Sequence, residues 1–571
     1  MKCLFFLCVA SVALTSEIDA VKRVYAHLLI HNDSLALSEC KHYLKSYPHS
    51  EELKRAYLKA LVRNEKEGEA LSYFKMLKEP EKERSLIETL AWGVMNRFES
   101  SPQIVVSQSA LMGACSIQDV RGVEMIVRKL DSSNAFLRWT AAHCASYYRD
   151  RSLIQTLRQL LISENVWFVR LEVIRTLGTI GAKEVKESLK YVIDNPRTTA
   201  EEKREAMTAL VAIYHEVEDE ELKECLNSSR SGLRHLACEI IGHLNLKEKE
   251  AYLVPLLDDP SSDVRIAAIN ALSFLGLKTA HPSILVKMAQ LMDDVRPSIA
   301  LTAAWASVRY LPEEAFKVIN KWLHSSDKEN QRLAAHVLGK TGLAGNPLIE
   351  TVIRSSFDPF VKANVALGAI GQGFPNQKLI EILDPFLKET QQKVMWSAAD
   401  NPLFVLLVPS KVSHVPDMAR YPIIIDKLSR LKLLKMLALL KHPQALELIK
   451  NFLKEDFEDC FEVIHEAAST LFEEGDQEVI DILHLLLQEE NQTVQIQAAM
   501  ILALKTKQVE AINRLHEMYC VADRDKKEAI LNVLGCVGSQ ESVPFLINVL
   551  DEPHQLLKVI GASALLQWVY R

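Results

Sequence analysis

The stretch Pro260 to Gly276, Pro-Ser-Ser-Asp-Val-Arg-Ile-Ala-Ala-Ile-Asn-Ala-Leu-Ser-Phe-Leu-Gly, constrains the chain more than any other feature. Pro260 stops a preceding helix. Ser261, Ser262 or Asp263 caps a new one by accepting from its free N–H groups. Val264, Ala268, Ala271, Leu272 and Leu275 then recur on one face at helical spacing. Gly276 supplies a left-handed residue to end the helix. The alanines leave room for a second helix to come close, and a lone helix of this kind cannot bury its own apolar face. The motif therefore demands neighbours.

The sequence provides them. With Val264 as marker, equivalent positions fall at Leu137, Val169, Glu202, Leu233, Ile299, Gln331, Val361, Val394, Val463, Val494, Lys526 and Leu557. A blurred copy lies near Leu428, and Val106 heads a further one. The mean spacing is about 32 residues, in the range of solenoid repeats. Each unit adds a first helix, such as 123–130, 153–161, 185–193, 315–323, 379–387 or 479–487, then a short polar turn and the alanine-rich second helix. Glycines gather just past the second helices, at Gly178, Gly242, Gly276, Gly339, Gly475 and Gly535. No strand pattern competes. The expected fold is all-α, an α-solenoid of antiparallel helix pairs over 101–571.

The pattern D-x-V-R-x-x-A-x-x-A-L is clearest at Asp263-Val264-Arg265 and is echoed at Val169-Arg170, Leu233-Arg234 and Leu137-Arg138. It resembles the HEAT-repeat family, in particular the short bacterial form named after phycobilisome lyase subunits. The resemblance covers roughly Ser101 to Arg571 and implies a HEAT-like superhelix; it is nearly silent on function. In that family the Asp and Arg bond along the stack, which carries over to Asp263 and Arg265 as a repeat-stacking pair. The other reading of this pair is a solvated one, worth at most ~1 kcal/mol.

Residues 17–100 follow another rule. Ala36 and Ala70, Cys40 and Phe74, and Tyr43 and Leu77 are each separated by the same interval of 34 residues, and Pro48 stops the first of these helices. The pattern resembles the tetratricopeptide repeat in about two degenerate copies that lack its usual Trp and Gly. A plain helical cap on the array is the alternative. Ahead of this region, Lys2 precedes the apolar run Cys3 to Leu14, with Ser11-Val12-Ala13 or Ala13-Leu14-Thr15 as a small-residue cleavage site. Residues 1–16 thus have the form of a secretory signal peptide, and the run is too short for a membrane span. This points to an exported, bacterial protein, periplasmic or secreted. An apolar first helix in a cytoplasmic protein is the other reading.

Composition narrows the function classes. Lys and Arg number 67 against 74 Asp and Glu, a net charge of −7, which is no electrostatic footprint for nucleic acid. The ten cysteines include no C-x-x-C pair, and Cys144 and Cys238 read as small buried hydrophobes. No G-x-S-x-G, Walker loop, G-x-G-x-x-G or H-E-x-x-H occurs, so no catalytic residue is assigned. The deoxyhypusine hydroxylases, a HEAT-like family, bind iron through His-Glu pairs. Here such pairs stand at His215-Glu216, His465-Glu466 and His516-Glu517, and only His465-Glu466 sits at the equivalent place in a second helix. The next repeat offers Ile496-Gln497, so no ligand set closes and neither metal nor cofactor is expected. Trp139, Trp167, Trp305 and Trp396 lie in or just before second helices. Basic residues do not line up beside them, as a DNA-binding HEAT-like surface requires, so they read as core or as a protein-binding groove.

The rhythm breaks once, at 401–422, where Pro402, Pro409, Pro416 and Pro422 exclude a regular helix and Leu403 to Val408 is strongly apolar. Arg420, Lys427, Arg430, Lys432, Lys435 and Lys441 follow. Leu403, Phe404, Val405, Arg420, Tyr421, Lys427 and Arg430 are the candidate partner-binding residues, because irregular segments on a rigid scaffold often carry function. A degenerate repeat packing on its neighbour is the bland reading. The sequence thus favours a non-catalytic scaffold with a protein partner and no nucleic acid. An enzyme subunit, lyase-like or metal-dependent, and a membrane-surface adaptor using 401–441 are the alternatives.

Overall fold

The computed structural model describes residues 16–571 apart from 78, 215, 277–281, 356, 358, 372–376, 389–392, 395–423, 426–430, 432–433, 436, 440, 443 and 456–460. The described chain is an all-α solenoid. Its helices run α1 (Glu17–Leu29), α2 (Asp33–Ser46), α3 (Glu51–Arg63), α4 (Glu67–Lys75), α5 (Arg84–Glu99), α6 (Ile104–Ile117), α7 (Val120–Leu130) and α8 (Ala135–Ala145). There follow α9 (Arg151–Ser163), α10 (Trp167–Ile180), α11 (Lys186–Asp194), α12 (Ala200–Ile213), α13 (Asp219–Leu226), α14 (Ser231–His243), α15 (Glu250–Leu253) and α16 (Ser262–Leu275). Next come α17 (Pro282–Met292), α18 (Pro297–Ser307), α19 (Pro312–Leu323), α20 (Lys328–Gly339), α21 (Asn346–Arg354), α22 (Pro359–Gly371) and α23 (Gln377–Lys388). The last are α24 (Ala445–Glu455), α25 (Phe461–Glu473), α26 (Glu478–Leu486), α27 (Gln492–Thr506), α28 (Val509–Val521), α29 (Arg524–Val537), α30 (Val543–Val549) and α31 (Gln555–Val569).

The chain divides into two compact units, residues 1–147 with 486–571, and residues 148–485. In the second unit the motif helix α16 is more buried than one apolar face requires. Val264, Ile266, Ala267, Ala268, Ile269, Asn270, Ala271, Leu272 and Leu275 are all buried, because α16 packs on the preceding short helices and on both α14 and α18. First helices are amphipathic instead. In α9 only Leu153, Leu157 and Leu161 are buried, one per turn.

Several expectations are corrected. Gly178, Gly242 and Gly535 lie inside helices rather than past them. Two of these sit where neighbouring second helices nearly touch: a Cβ on Gly178 would lie 2.7 Å from Ala209 Cα, and one on Gly535 3.0 Å from Ala564 Cα. Gly276 does end its helix, at φ 81°. Val394 does not head a second helix. Lys393–Val394 pairs antiparallel with Ile424–Ile425, in register Lys393 to Ile425 and Val394 to Ile424.

The arginine after the marker has a use the motif did not reveal. Its side chain donates back to the carbonyl six residues earlier and so closes the turn between the two helices of a repeat. Arg138 reaches Ser132 O at 2.8 Å, Arg170 reaches Glu164 O at 3.3 Å, Arg234 reaches Ser228 O at 2.8 Å, and Arg265 reaches Asp259 O. Gln331 and Gln495 make the same bond to Ser325 O and Glu489 O. The rest of the guanidinium spans to the next repeat. Arg234 binds Asp259 through two bonds of 2.6 and 2.8 Å, and Arg170 binds Glu202 at 2.5 Å. Arg265 stands 3.7 Å from Asp294, whereas Asp263 is exposed on the first turn of α16. The stacking carboxylate is therefore Asp294, supplied by the following repeat, in place of Asp263.

These junctions set carboxylate chemistry. Burial raises the Glu202 carboxyl, but the Arg170 bond and the Thr199 cap outweigh it and the pKa is lowered. Glu202 occupies a marker position that is apolar in most copies, and it forms a capping box with Thr199. Asp259 behaves alike: burial opposes ionisation, and Arg234 with the Ser261 N–H overcomes it.

In the first unit α1, α2 and α3 pack around Ala20, Val24, Ala36, Cys40, Leu53 and Ala56, and α4 packs on α3 and α5. Ala36 and Ala70, and Cys40 and Phe74, are buried, so these 34-residue correspondences are positions of packing. The helix α31 packs against both α5 and α6. Trp568 is 5% exposed, with the Arg84 guanidinium 4.9 Å from its ring. Arg121 anchors the junction. It binds Glu88 and Asp119, each at 2.6 Å, donates to the Tyr570 hydroxyl, and lies 4.4 Å over the Trp92 ring. Hydrogen bonding from Arg121 holds the Asp119 carboxyl down at about 2.

Candidate interaction surface

Asn134 starts α8 by accepting from the N–H groups of Phe136 and Leu137, at 2.9 and 3.2 Å. Leu137, Ala141, Ala142, Cys144 and Ala145 turn inward. The opposite side of the helix carries Phe136, Trp139, His143 and, one turn beyond, Tyr147. Their rings form a continuous ladder. Phe136 and Trp139 are 5.6 Å apart, Trp139 stacks on His143 at 5.9 Å and 14°, and His143 meets Tyr147 edge-on at 5.8 Å. Phe136 and Tyr147 are 51% and 56% exposed, far more than large aromatic rings in a core.

The neighbouring helix α6 extends this surface. Its sequence, Ile104 to Ile117, contains no charged residue. Ile104, Val105 and Met112 are exposed. Gln108 donates to the Thr140 hydroxyl at 3.2 Å and so aligns this side of α6 with the ladder on α8. Arg138, the one formal charge in α8, is turned back to the Ser132 and Ser133 carbonyls. The result is an apolar, aromatic surface on two helices whose one formal charge, Arg138, is turned away, in a chain of which a quarter of the residues are charged.

The other tryptophans divide. Trp167 is 56% exposed beside Phe168 in the second unit. Trp305 donates to Lys340 O at 3.2 Å and ties α18 to the end of α20. Trp396 lies outside the described residues, as do Leu403, Phe404, Val405, Arg420, Tyr421, Lys427 and Arg430. Glu466 is engaged by Lys435 at 3.2 Å and His465 packs on Phe461 at 5.5 Å. His516 bonds Ser542 at 3.1 Å and stacks on Phe545, and burial lowers its pKa. His215 lies outside the described residues. Among the described residues no three His, Cys, Asp or Glu side chains are grouped to hold a metal, and no helix is long and apolar enough to cross a membrane. The ladder on α8 was legible in part, because Phe136, Trp139, His143 and Tyr147 follow helical spacing. The charge-free run in α6 was the unused second signal.

Comparison with known proteins bears on the array. The profile of the HEAT repeats matches residues 123–211 and 218–290. These stretches are HEAT repeats. No curated protein sequence matches the chain. Among solved structures, the chain is similar to the complex of CpcE and CpcF of phycocyanin lyase from Nostoc sp. PCC7120. The identity is 14%, over 52% of this chain and 92% of that one, with a TM-score of 0.22. Human deoxyhypusine hydroxylase in complex with glycerol is 18% identical over 44% of this chain and 96% of that chain, with a TM-score of 0.20. Kap121p bound to Ste12p is 14% identical over 94% and 63%, with a TM-score of 0.38.

Proposed function

We propose that this HEAT-repeat chain is a non-catalytic protein-binding scaffold, and that the surface of α6 and α8 receives the partner. The ladder Phe136–Trp139–His143–Tyr147 carries this reading. Exposed aromatic rings gain most when another apolar surface covers them, and Trp and Tyr dominate such contacts in protein interfaces. The lack of formal charge favours a neutral, apolar partner segment, since a charged one would lose hydration without a counter-charge.

The test is a crosslinked pull-down from the native host with the full chain and with a Phe136→Ala/Tyr147→Ala variant. Both rings are exposed, so the variant keeps its melting temperature. A protein retained by the natural chain and lost about tenfold or more from the variant supports the proposal. Equal recovery, or a stoichiometric metal in the purified protein, contradicts it and favours the enzyme reading.

On sequence grounds, the proposal includes a second contact through Leu403, Phe404, Val405, Arg420, Tyr421, Lys427 and Arg430, tested by deleting 401–422. It also includes export through residues 1–16. An intact Met1 on protein from the native host would contradict export.

A further inference from the structure

Successive second helices come closest at one register. Gly178 stands nine positions after its marker Val169 and meets Ala209, seven after the marker Glu202. Gly535 and Ala564 repeat the relation, nine after Lys526 and seven after Leu557. Cys115 and Cys144 hold these same two positions, nine after Val106 and seven after Leu137. The place where Gly meets Ala elsewhere thus carries two thiols between α6 and α8. Cys115 Sγ donates to Cys144 O at 3.4 Å, and the Cys115 side chain beside the Cys144 thiol pushes that thiol's pKa up. They are 5% and 2% exposed. Cys40, also buried, has a different neighbour, Leu53 O at 3.7 Å.

We propose that Cys115 and Cys144 form a structural disulfide that staples α6 to α8 beneath the aromatic surface. The oxidant is a low-molecular-weight disulfide such as oxidised glutathione. The Cys115 thiolate attacks one glutathione sulfur, breaking its S–S bond and releasing one glutathione thiolate. The Cys144 thiolate then attacks the Cys115 sulfur, forming the intramolecular bond and displacing the second glutathione. The two protein thiols give up two electrons and two protons, which together reduce one oxidised glutathione to two thiols. Burial hides both sulfurs in the folded chain, so exchange runs while this unit folds, and the finished bond is shielded from reductant. The bond closes a loop holding α7 and most of α8, and so restricts the unfolded chain.

The experiment refolds the full chain either in a glutathione redox buffer or in dithiothreitol, then denatures and alkylates it without further reduction. The expected result is a peptide linked through Cys115 and Cys144 by mass spectrometry, and a melting transition raised by roughly 5–10 °C over the reduced chain. Cys115→Ser and Cys144→Ser each lose the link and the increment. A Cys115→Ala/Cys144→Ala variant melts like the reduced natural chain. Alkylation of both cysteines after oxidative refolding overturns the proposal, as does a linked peptide without a rise in melting temperature. The mass-spectrometric result on the natural chain decides even where a variant fails to fold.

Discussion

The junctions of the second unit and the join in the first unit hold helices together by different means. In the second unit three junctions repeat one device: an arginine near the start of a second helix closes its own turn and reaches toward a carboxylate of the next repeat, as Arg170, Arg234 and Arg265 do with Glu202, Asp259 and Asp294. In the first unit α31 meets α5 and α6 through residues that occur once, Trp568, Tyr570, Arg121, Trp92 and Glu88. The repeated junction is local, built from residues about one repeat apart. The join is non-local, linking residues such as Arg121 and Tyr570 that are far apart in sequence, and its cost in chain entropy is met by aromatic burial rather than by a motif.

The largest expected effect breaks the join. Trp568→Ala removes a buried indole and costs about 3–5 kcal/mol, with faster amide exchange in 84–99 and 104–117 and none of that change in 231–275. Unchanged exchange in 84–117 would show that the join does not depend on this ring. Arg234→Ala breaks a repeated junction instead. It leaves the Asp259 carboxylate, 5% exposed, without its counter-charge and costs about 3 kcal/mol. Here exchange rises in 231–275, and the helices α5, α6 and α31 keep their protection.

Acid separates the two regions by a graded effect. Burial, with Lys340 assisting, holds the His336 imidazole at about 3, below its ordinary 6.5. The folded second unit therefore binds fewer protons than its unfolded chain, and loses stability as pH falls from about 6.5 toward about 3. At the join, Asp119 lies at about 2 against an ordinary 3.8, so its contribution is full above about 4 and lost toward pH 2. Amide exchange followed from pH 7 to pH 3 should loosen α20 before α7 and α31. His336→Phe should flatten the first phase, and an unchanged pH profile in that variant would contradict the assignment. The smallest effect sharpens the repeated side: Thr199→Ala removes the capping box at Glu202 and costs about 1 kcal/mol by urea unfolding.

These contrasts explain what the sequence showed and what it hid. The period of Val264 and its copies exposed the second helices, because a buried helix writes its spacing directly into apolar positions. The interior glycines looked like terminators, since their neighbours Ala209 and Ala564 lie a repeat away. The stacking partner of Arg265 was sought within its own motif at Asp263, but reach and geometry favour Asp294 in the next repeat. The join left no periodic trace, as Arg121, Trp568 and Tyr570 are joined only by folding. At the candidate surface Trp139 was recognised, but the ladder needed the ring positions of Phe136, His143 and Tyr147. The absence of charge in α6 gains meaning only beside them.

The central claim is that the surface of α6 and α8 receives a protein. Its most direct measurement is photo-crosslinking in the native host, with a photoreactive phenylalanine analogue at Phe136 and, as control, at the exposed Ile162 of α9. The account predicts one discrete crosslinked partner from position 136 and none from 162. The same products from both positions, or none from 136, would contradict it.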